Sequence, residues 1–162
     1  MVSHLDRQIV VACPLPQAAL RLRNYFRDHG NTDGDTMKLH LGIDVALPGS
    51  NTAFTVKRAV IATIAPHHLA ADMTPRYRVQ WAPEVPGPLP LFSGELLIGA
   101  GSDFDSFSLQ LSGGYTPPLG HFGEGFDLAI GHRIANATAD DLLANMKRAI
   151  EREFRADEAR KV

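Results

Sequence analysis

Residues 37–47 (MKLHLGIDVAL) set Met37, Leu39, Leu41, Ile43, Val45 and Leu47 at every second position, with Lys38, His40, Gly42, Asp44 and Ala46 between them. A period of two held over that length is the repeat of a β-strand, whose side chains point alternately to opposite faces. One face is therefore apolar and has to be covered. Four further strand-like runs follow, at 53–64, 76–82, 91–100 and 104–112. They are separated by Pro48-Gly49-Ser50-Asn51, by 65–75, by 83–90 and by Gly101-Ser102-Asp103, all of turn composition. Strands joined by short connections with no intervening helix form an antiparallel meander, one face buried and one wet.

The two ends read differently. Residues 7–13 (RQIVVAC) form a short β-branched run closed by Pro14 and Pro16, which cannot donate to a sheet ladder. A helix is expected next, with Pro16 in its first turn, Ala19, Leu22 and Phe26 on its apolar stripe, and Gly30 as its stop. After Tyr115-Thr116-Pro117-Pro118 the period becomes helical: Phe122, Phe126, Ile130 and Ile134 lead into Leu142, Leu143, Met146, Ala149 and Ile150. Thirty-five helical residues would run about 52 Å, against a diameter of about 39 Å for a sphere of this chain length. Either the helix breaks near 136–138, where Thr138 would cap a new start with Asp140 and Asp141 in its first turn, or its charged end protrudes. We expect the break or a late start, with 138–154 best packed and 155–162 frayed.

Length and composition bound the rest. The chain has 162 residues, enough to bury a core as one domain spanning 1–162 without a covalent staple. Cys13 is the only cysteine, which excludes an internal disulfide and a multi-cysteine zinc site. A net charge of -2 with no basic cluster argues against nucleic acid. No apolar run approaches the ~20 residues of a membrane span, and Asp6 interrupts any signal-peptide core, so the expected location is the cytoplasm.

Strand, helix, loop, five antiparallel strands and a long last helix form the order of a helix-grip fold. In that order the chain resembles the START-like or SRPBCC superfamily, which includes polyketide cyclase-like, lipid-transfer and Bet v 1-like proteins. The likeness covers nearly the whole chain and is strongest at LQLSGGYTPPLG (109–120) and in the helix from Phe126 through IANATADDLLANMKRAIE. It implies an α+β fold in which a curved antiparallel sheet of six or seven strands wraps a long C-terminal helix. An up-and-down barrel can enclose a ligand without so long a helix, and an NTF2-like cone puts its helices before the sheet.

If the sheet curls around the helix, its most apolar face turns inward. That face carries Leu41 and Ile43, Val56, Tyr77 and Trp81, Phe92 and Leu96, Phe107 and Leu109, with Met146 and Ile150 facing them from the helix. Such residues serve equally well as a dry core. The resemblance implies a cavity between them for a small hydrophobic molecule such as a lipid, a polyketide or an isoprenoid-like compound. Arg58 falls on the same face, where a guanidinium needs an anionic ligand group, an internal carboxylate, or a bulge that turns it outward. Tyr77, Trp81 and Tyr115 have apolar bodies with polar tips that can orient a ligand.

Other motifs carry less. The seven histidines lack metal-ligand spacing, Asn31–Asp35 fails as a calcium loop, and Gly120, Gly123 and Gly125 do not make a dinucleotide fingerprint. No metal or cofactor is expected. Cys13 reads as a buried small hydrophobe, and His40 with Asp44 as exposed surface. Glu95 is the one carboxylate worth testing as a general acid. Three functions remain open: carriage of a hydrophobic ligand, a cyclase or dehydratase using Arg58, Tyr77 or Glu95 in the same cavity, and a non-catalytic interaction module, with a homodimer as one form of it.

Overall fold

The computed structural model describes residues 3–29, 36–46, 53–67, 76–83, 91–116 and 124–161; side chains are described within these except at 36–46, 53–60, 65–67, 83 and 124–130. The connections at 30–35, 47–52, 68–75, 84–90 and 117–123 lie outside the described residues. So do the expectations that fall on them: the helix stop at Gly30, the Asn31–Asp35 segment, nearly all of the turn read at 83–90, and Gly120 and Gly123.

Strand β1 (Ser3–Val11) leads through a 3-10 turn (Leu15–Gln17) into helix α1 (Ala18–His29). Then come β2 (Thr36–Ala46), β3 (Ala53–His67), β4 (Arg76–Pro83), β5 (Leu91–Ala100), β6 (Phe107–Thr116) and helix α2 (Glu124–Arg160). Among the described residues the strands form one six-stranded sheet in the order β1-β6-β5-β4-β3-β2, every neighbouring pair antiparallel. The meander from β2 to β6 follows the sequence reading, and β1 closes the sheet beside β6. No described helix is long and apolar enough to cross a membrane.

Local bonds explain where strand ends differ from the reading. β1 stops at Val11 because the Cys13 N–H turns back onto the Val11 carbonyl at 2.9 Å and Pro14 has no N–H to continue the ladder. β6 begins at Phe107, later than 104, because the preceding residues form a tight turn. In that turn the Asp103 N–H donates to Ser106 Oγ at 3.3 Å and the Asp105 N–H to Asp103 Oδ1 at 3.0 Å. Phe104, at the tip of that turn, is 97% exposed.

α2 is one helix of 37 residues, about 55 Å long at ~1.5 Å per residue, with no break at 136–138 and helical to Arg160. The expected break fails for two reasons. The Thr138 hydroxyl donates to the Ile134 carbonyl at 2.7 Å, a bond made inside a continuing helix, so it caps nothing. Asp140 does not serve a new first turn either, since its carboxylate takes both Nε and Nη2 of Arg7 at 2.7 Å. The surplus length emerges as an exposed charged end, the other alternative the chain length allowed.

Ile134, Leu142, Leu143, Met146 and Ile150 form the buried stripe of α2, against Leu5 and Val11 of β1 and Leu109 and Leu111 of β6. Polar bonds fix the register of helix on sheet. Besides Arg7–Asp140, Lys147 Nζ donates to the Val10 carbonyl and to Glu151 Oε1, both at 2.6 Å, and Glu151 Oε1 accepts the Ala12 N–H at 2.8 Å. β1 is an edge strand, and these bonds use backbone groups at its free edge that would otherwise invite another chain. α1 docks on the far end of α2 through Arg21, a buried cation whose Nη1 meets Asp157 at 2.5 Å and Glu153 at 3.0 Å. Gln17 Oε1 accepts from Arg21 Nη2 at 2.8 Å, so the buried guanidinium is paired and hydrogen-bonded, as burial requires.

Burial alone would raise the Glu151 carboxyl, but the Lys147 ammonium and the Ala12 N–H outweigh it and hold the group below its usual value of 4.5. A carboxylate depressed in the folded state stabilises fully above its unfolded value, and the benefit fades as pH falls through the folded one. Glu151→Gln should therefore lower stability at pH 7 by about 1 kcal/mol. Urea unfolding at stepwise lower pH should show the difference from wild type shrinking to nothing once wild-type Glu151 is itself protonated.

Candidate ligand-binding site

Strand register arranges the inner face in rows across the sheet. One row runs Ala62, Trp81, Phe92, Tyr115; the next runs Ile64, Val79, Gly94, Gly113, Leu5; a third runs Tyr77, Leu96, Leu111, Arg7. All the aromatic and aliphatic members of these rows are buried. Trp81 and Phe92, directly opposite each other, stack with ring centroids 4.1 Å apart and planes 17° from parallel.

The glycine row explains how those rings lie. Gly94 and Gly113 face each other across β5 and β6, and a Cβ on either would strike the opposing backbone. At Gly94 it would meet the Ser112 carbonyl, with Gly113 Cα at 2.7 Å; at Gly113 it would meet the Ser93 carbonyl, with Gly94 Cα at 2.5 Å. The tip of the Phe92 ring, Cζ, sits 2.6 and 2.9 Å from those two missing Cβ positions. The ring thus lies down over bare backbone instead of standing toward α2, and Trp81 lies down with it. Paired glycines convert two bulky residues into a flat apolar floor.

Above this floor the helix is not equally close everywhere. Among the described residues the α2 backbone runs close against β1, β6 and β2, while β3, β4 and β5 stand further off. The floor of Trp81, Phe92, Val79 and Leu96 belongs to those distant strands. At one end Tyr77 meets Phe26 of α1 edge-on, centroids 5.2 Å apart, and burial pushes its hydroxyl pKa up. At the other end the Tyr115 hydroxyl lies 2.8 Å from His132 Nδ1, whose Nε2 is 3.0 Å from Asn136 Nδ2.

Of the residues read from the sequence, Tyr77, Trp81, Phe92, Leu96, Phe107, Leu109, Met146 and Ile150 are all buried. They do not form one compact group. Phe107 lies eight residues from Tyr115 along β6, about 27 Å, beside Val11 at the end where α2 is stapled to β1. Leu41 pairs with Arg58 and Ile43 with Val56 in the β2–β3 ladder, positions that alternate in phase with buried Ala62 and Ile64; their side chains lie outside the described ones. Glu95 falls on the opposite face from Phe92 and Leu96. It stands across from Arg78 and Ser112, with Arg76 Nη1 3.9 Å from its carboxylate, and this removes it as an acid for the interior. Cys13 is buried, and desolvation pushes its thiol pKa up.

The sequence reading missed Gly94, Gly113 and the bond between Tyr115 and His132. The glycines carry a signal only once β5 and β6 are paired, and His132 was weighed for metal spacing alone.

A cleft of about 420 Å³ opens between α1 and the last turns of α2 and is lined by Tyr25, His29, Ile150, Arg152, Glu153 and Asp157 among others. Tyr25 stacks on His29 with centroids 4.3 Å apart, and burial, with Asp141 nearby, pushes its hydroxyl up to about 12. Glu153 and Asp157 are already engaged by Asn24 and Arg21. This cleft is the docking seam of α1.

The architecture, one long helix gripped by a six-stranded antiparallel sheet with α1 packed at one end, defines a helix-grip fold. No family model matches the sequence, and no curated protein matches it. Solved structures do. A conserved protein from Geobacillus kaustophilus matches with a TM-score of 0.54 at 16% identity over 95% of this chain and 96% of its own. A START superfamily protein from Mycobacterium smegmatis matches with a TM-score of 0.47 at 12% identity over 94% and 97%. The first of these likenesses shows a shared fold over nearly the whole of both chains.

Gly113→Ala should lower stability by roughly 1–3 kcal/mol, since the new methyl meets backbone that cannot rotate away. The same change should alter the emission of Trp81, the single tryptophan, because Phe92 must lift from the floor and unstack. Urea unfolding and the fluorescence spectrum of the native protein check both.

Proposed function

We propose that this protein binds a small hydrophobic molecule between the central strands and α2. The observation that carries the reading is the stand-off of β3, β4 and β5 from the helix above a floor that paired glycines have flattened. Trp81, Phe92, Val79 and Leu96 are covered by side chains in this structure, and where no helix backbone lies close above, those side chains can part to admit an apolar guest. Leu41, Ile43, Val56 and Arg58 belong to the β2–β3 side of the same face by register, and Arg58 would suit a guest bearing an anionic group. Met146 and Ile150 supply apolar surface from the helix, while Phe107 and Leu109 serve the packed end.

Binding without chemistry is the reading the residues favour. With Glu95 on the outer face and Tyr77 enclosed against Phe26, no described acid, base and nucleophile converge on the floor.

The native protein should bind 1-anilinonaphthalene-8-sulfonate saturably, with blue-shifted emission that a long-chain fatty acid or a polycyclic aromatic competes away. A guest at a hundred times its Kd stabilises a fold by about 2.7 kcal/mol, which for a chain of this size raises the Tm by about 5–10 °C. Native mass spectrometry of freshly purified protein should show a bound small molecule. If the dye gives no saturable signal and no hydrophobic compound raises the Tm, the space is filled by side chains and the reading is wrong.

A further inference from the structure

The bond that ties Tyr115 to α2 leaves a donor over. Nε2 of His132 receives the Asn136 amide nitrogen at 3.0 Å, so in the network as oriented Nε2 is the acceptor and the ring proton sits on Nδ1. That N–H donates to the Tyr115 oxygen at 2.8 Å. A phenol that accepts still has its own O–H to give. Tyr115 is buried, and its backbone stands directly opposite that of Phe92 in register, one strand spacing away, about 5 Å. His132 and Asn136 are neighbours on α2, four residues apart, where the helix passes this row. The phenol is fixed from the helix side with its own proton unused, on a residue of the row that carries Trp81 and Phe92.

We propose that Tyr115, positioned by His132 and Asn136, is the polar anchor of the site and selects guests that carry a neutral oxygen acceptor, a ketone or ester carbonyl, at one end of an apolar body. This rests on the binding reading above and narrows it. Tyr115 makes the hydrogen bond; His132 is a positioning residue, since it acts by holding the phenol oxygen and directing the O–H away from itself. A buried donor that meets no acceptor penalises a purely hydrocarbon guest, so the preference follows from what would be left unpaired as well as from what is made.

The test compares 2-acetylnaphthalene with 2-ethylnaphthalene, two bodies of nearly equal size of which only the first carries a carbonyl, by equilibrium dialysis against the full chain. Wild type should prefer the ketone. Tyr115→Phe should weaken the ketone by about five- to tenfold and leave the hydrocarbon unchanged or tighter. His132→Gln, which keeps the phenol but loosens its hold, should reduce the ketone-to-hydrocarbon ratio by a smaller factor. Thermal melts of both variants separate lost fold from lost recognition, because a structural role would weaken the two probes together. Equal wild-type affinities, or a ratio that survives both variants, overturn the anchor while leaving the apolar site standing. Failure of wild type to bind either probe overturns the anchor and counts against the site itself.

Discussion

Everything in this molecule depends on one helix being held by both edges of one sheet. β1 and β2 are the outermost strands of the order β1-β6-β5-β4-β3-β2, and both lie close to α2. In a flat sheet they would be five spacings apart, about 24 Å, more than twice the width of a helix with its side chains. Meeting the same helix from both edges forces the sheet to bend, and the strands in the middle of the bend stand furthest from the axis. On the proposed reading, room for a guest lies over those middle strands as a by-product of how the edges are satisfied.

The grip is asymmetric, and the asymmetry divides labour. Along β1 the helix is both packed and stapled, with Ile134, Leu142, Leu143 and Met146 inside and the bonds of Asp140, Lys147 and Glu151 along the rim. The rim bonds are partly exposed, each worth little by itself. Their value lies in register: Asp140, Lys147 and Glu151 recur on one face of the helix at spacings of seven and four, so a slide by one residue breaks all of them at once. Over β4 and β5 no such fixing bonds appear among the described residues, and aromatic rings laid flat on glycines take the place of side chains reaching for the helix.

Much of the architecture was legible because strand and helix periodicities are local. The alternation at 37–47 marks β2, and the run at 91–100 coincides with β5. The uninterrupted α2 was not legible, because the groups that speak for a break are answered elsewhere. Thr138 finds its acceptor one turn back inside the helix, and Asp140 finds Arg7, which lies 133 residues earlier in the chain. The site was legible only as an apolar face. Gly94 and Gly113 look like weak points in two separate strands; they acquire meaning when pairing sets them opposite each other beneath Phe92. Tyr115 was noticed for its shape, but its partner sits on another element, and no spacing in the sequence announces that the two meet.

Where the fold keeps its polar groups also bears on what it can recognise. A floor of indole, phenyl and aliphatic groups discriminates poorly among apolar guests, because each added methylene is worth only about 0.8 kcal/mol whatever its position. Selectivity has to come from a directed bond. At the seam between β6 and α2 the exposed His132 holds the buried Tyr115 oxygen, and on the proposed reading the phenol's own O–H is left for the guest. The same helix that forces the sheet to bend thereby delivers, at the row where the aromatic floor ends, the imidazole that holds a phenol in place. Stapling towards the Val11 end of β1 and, on the proposed reading, discrimination beside its Ser3 end are two uses of one helix.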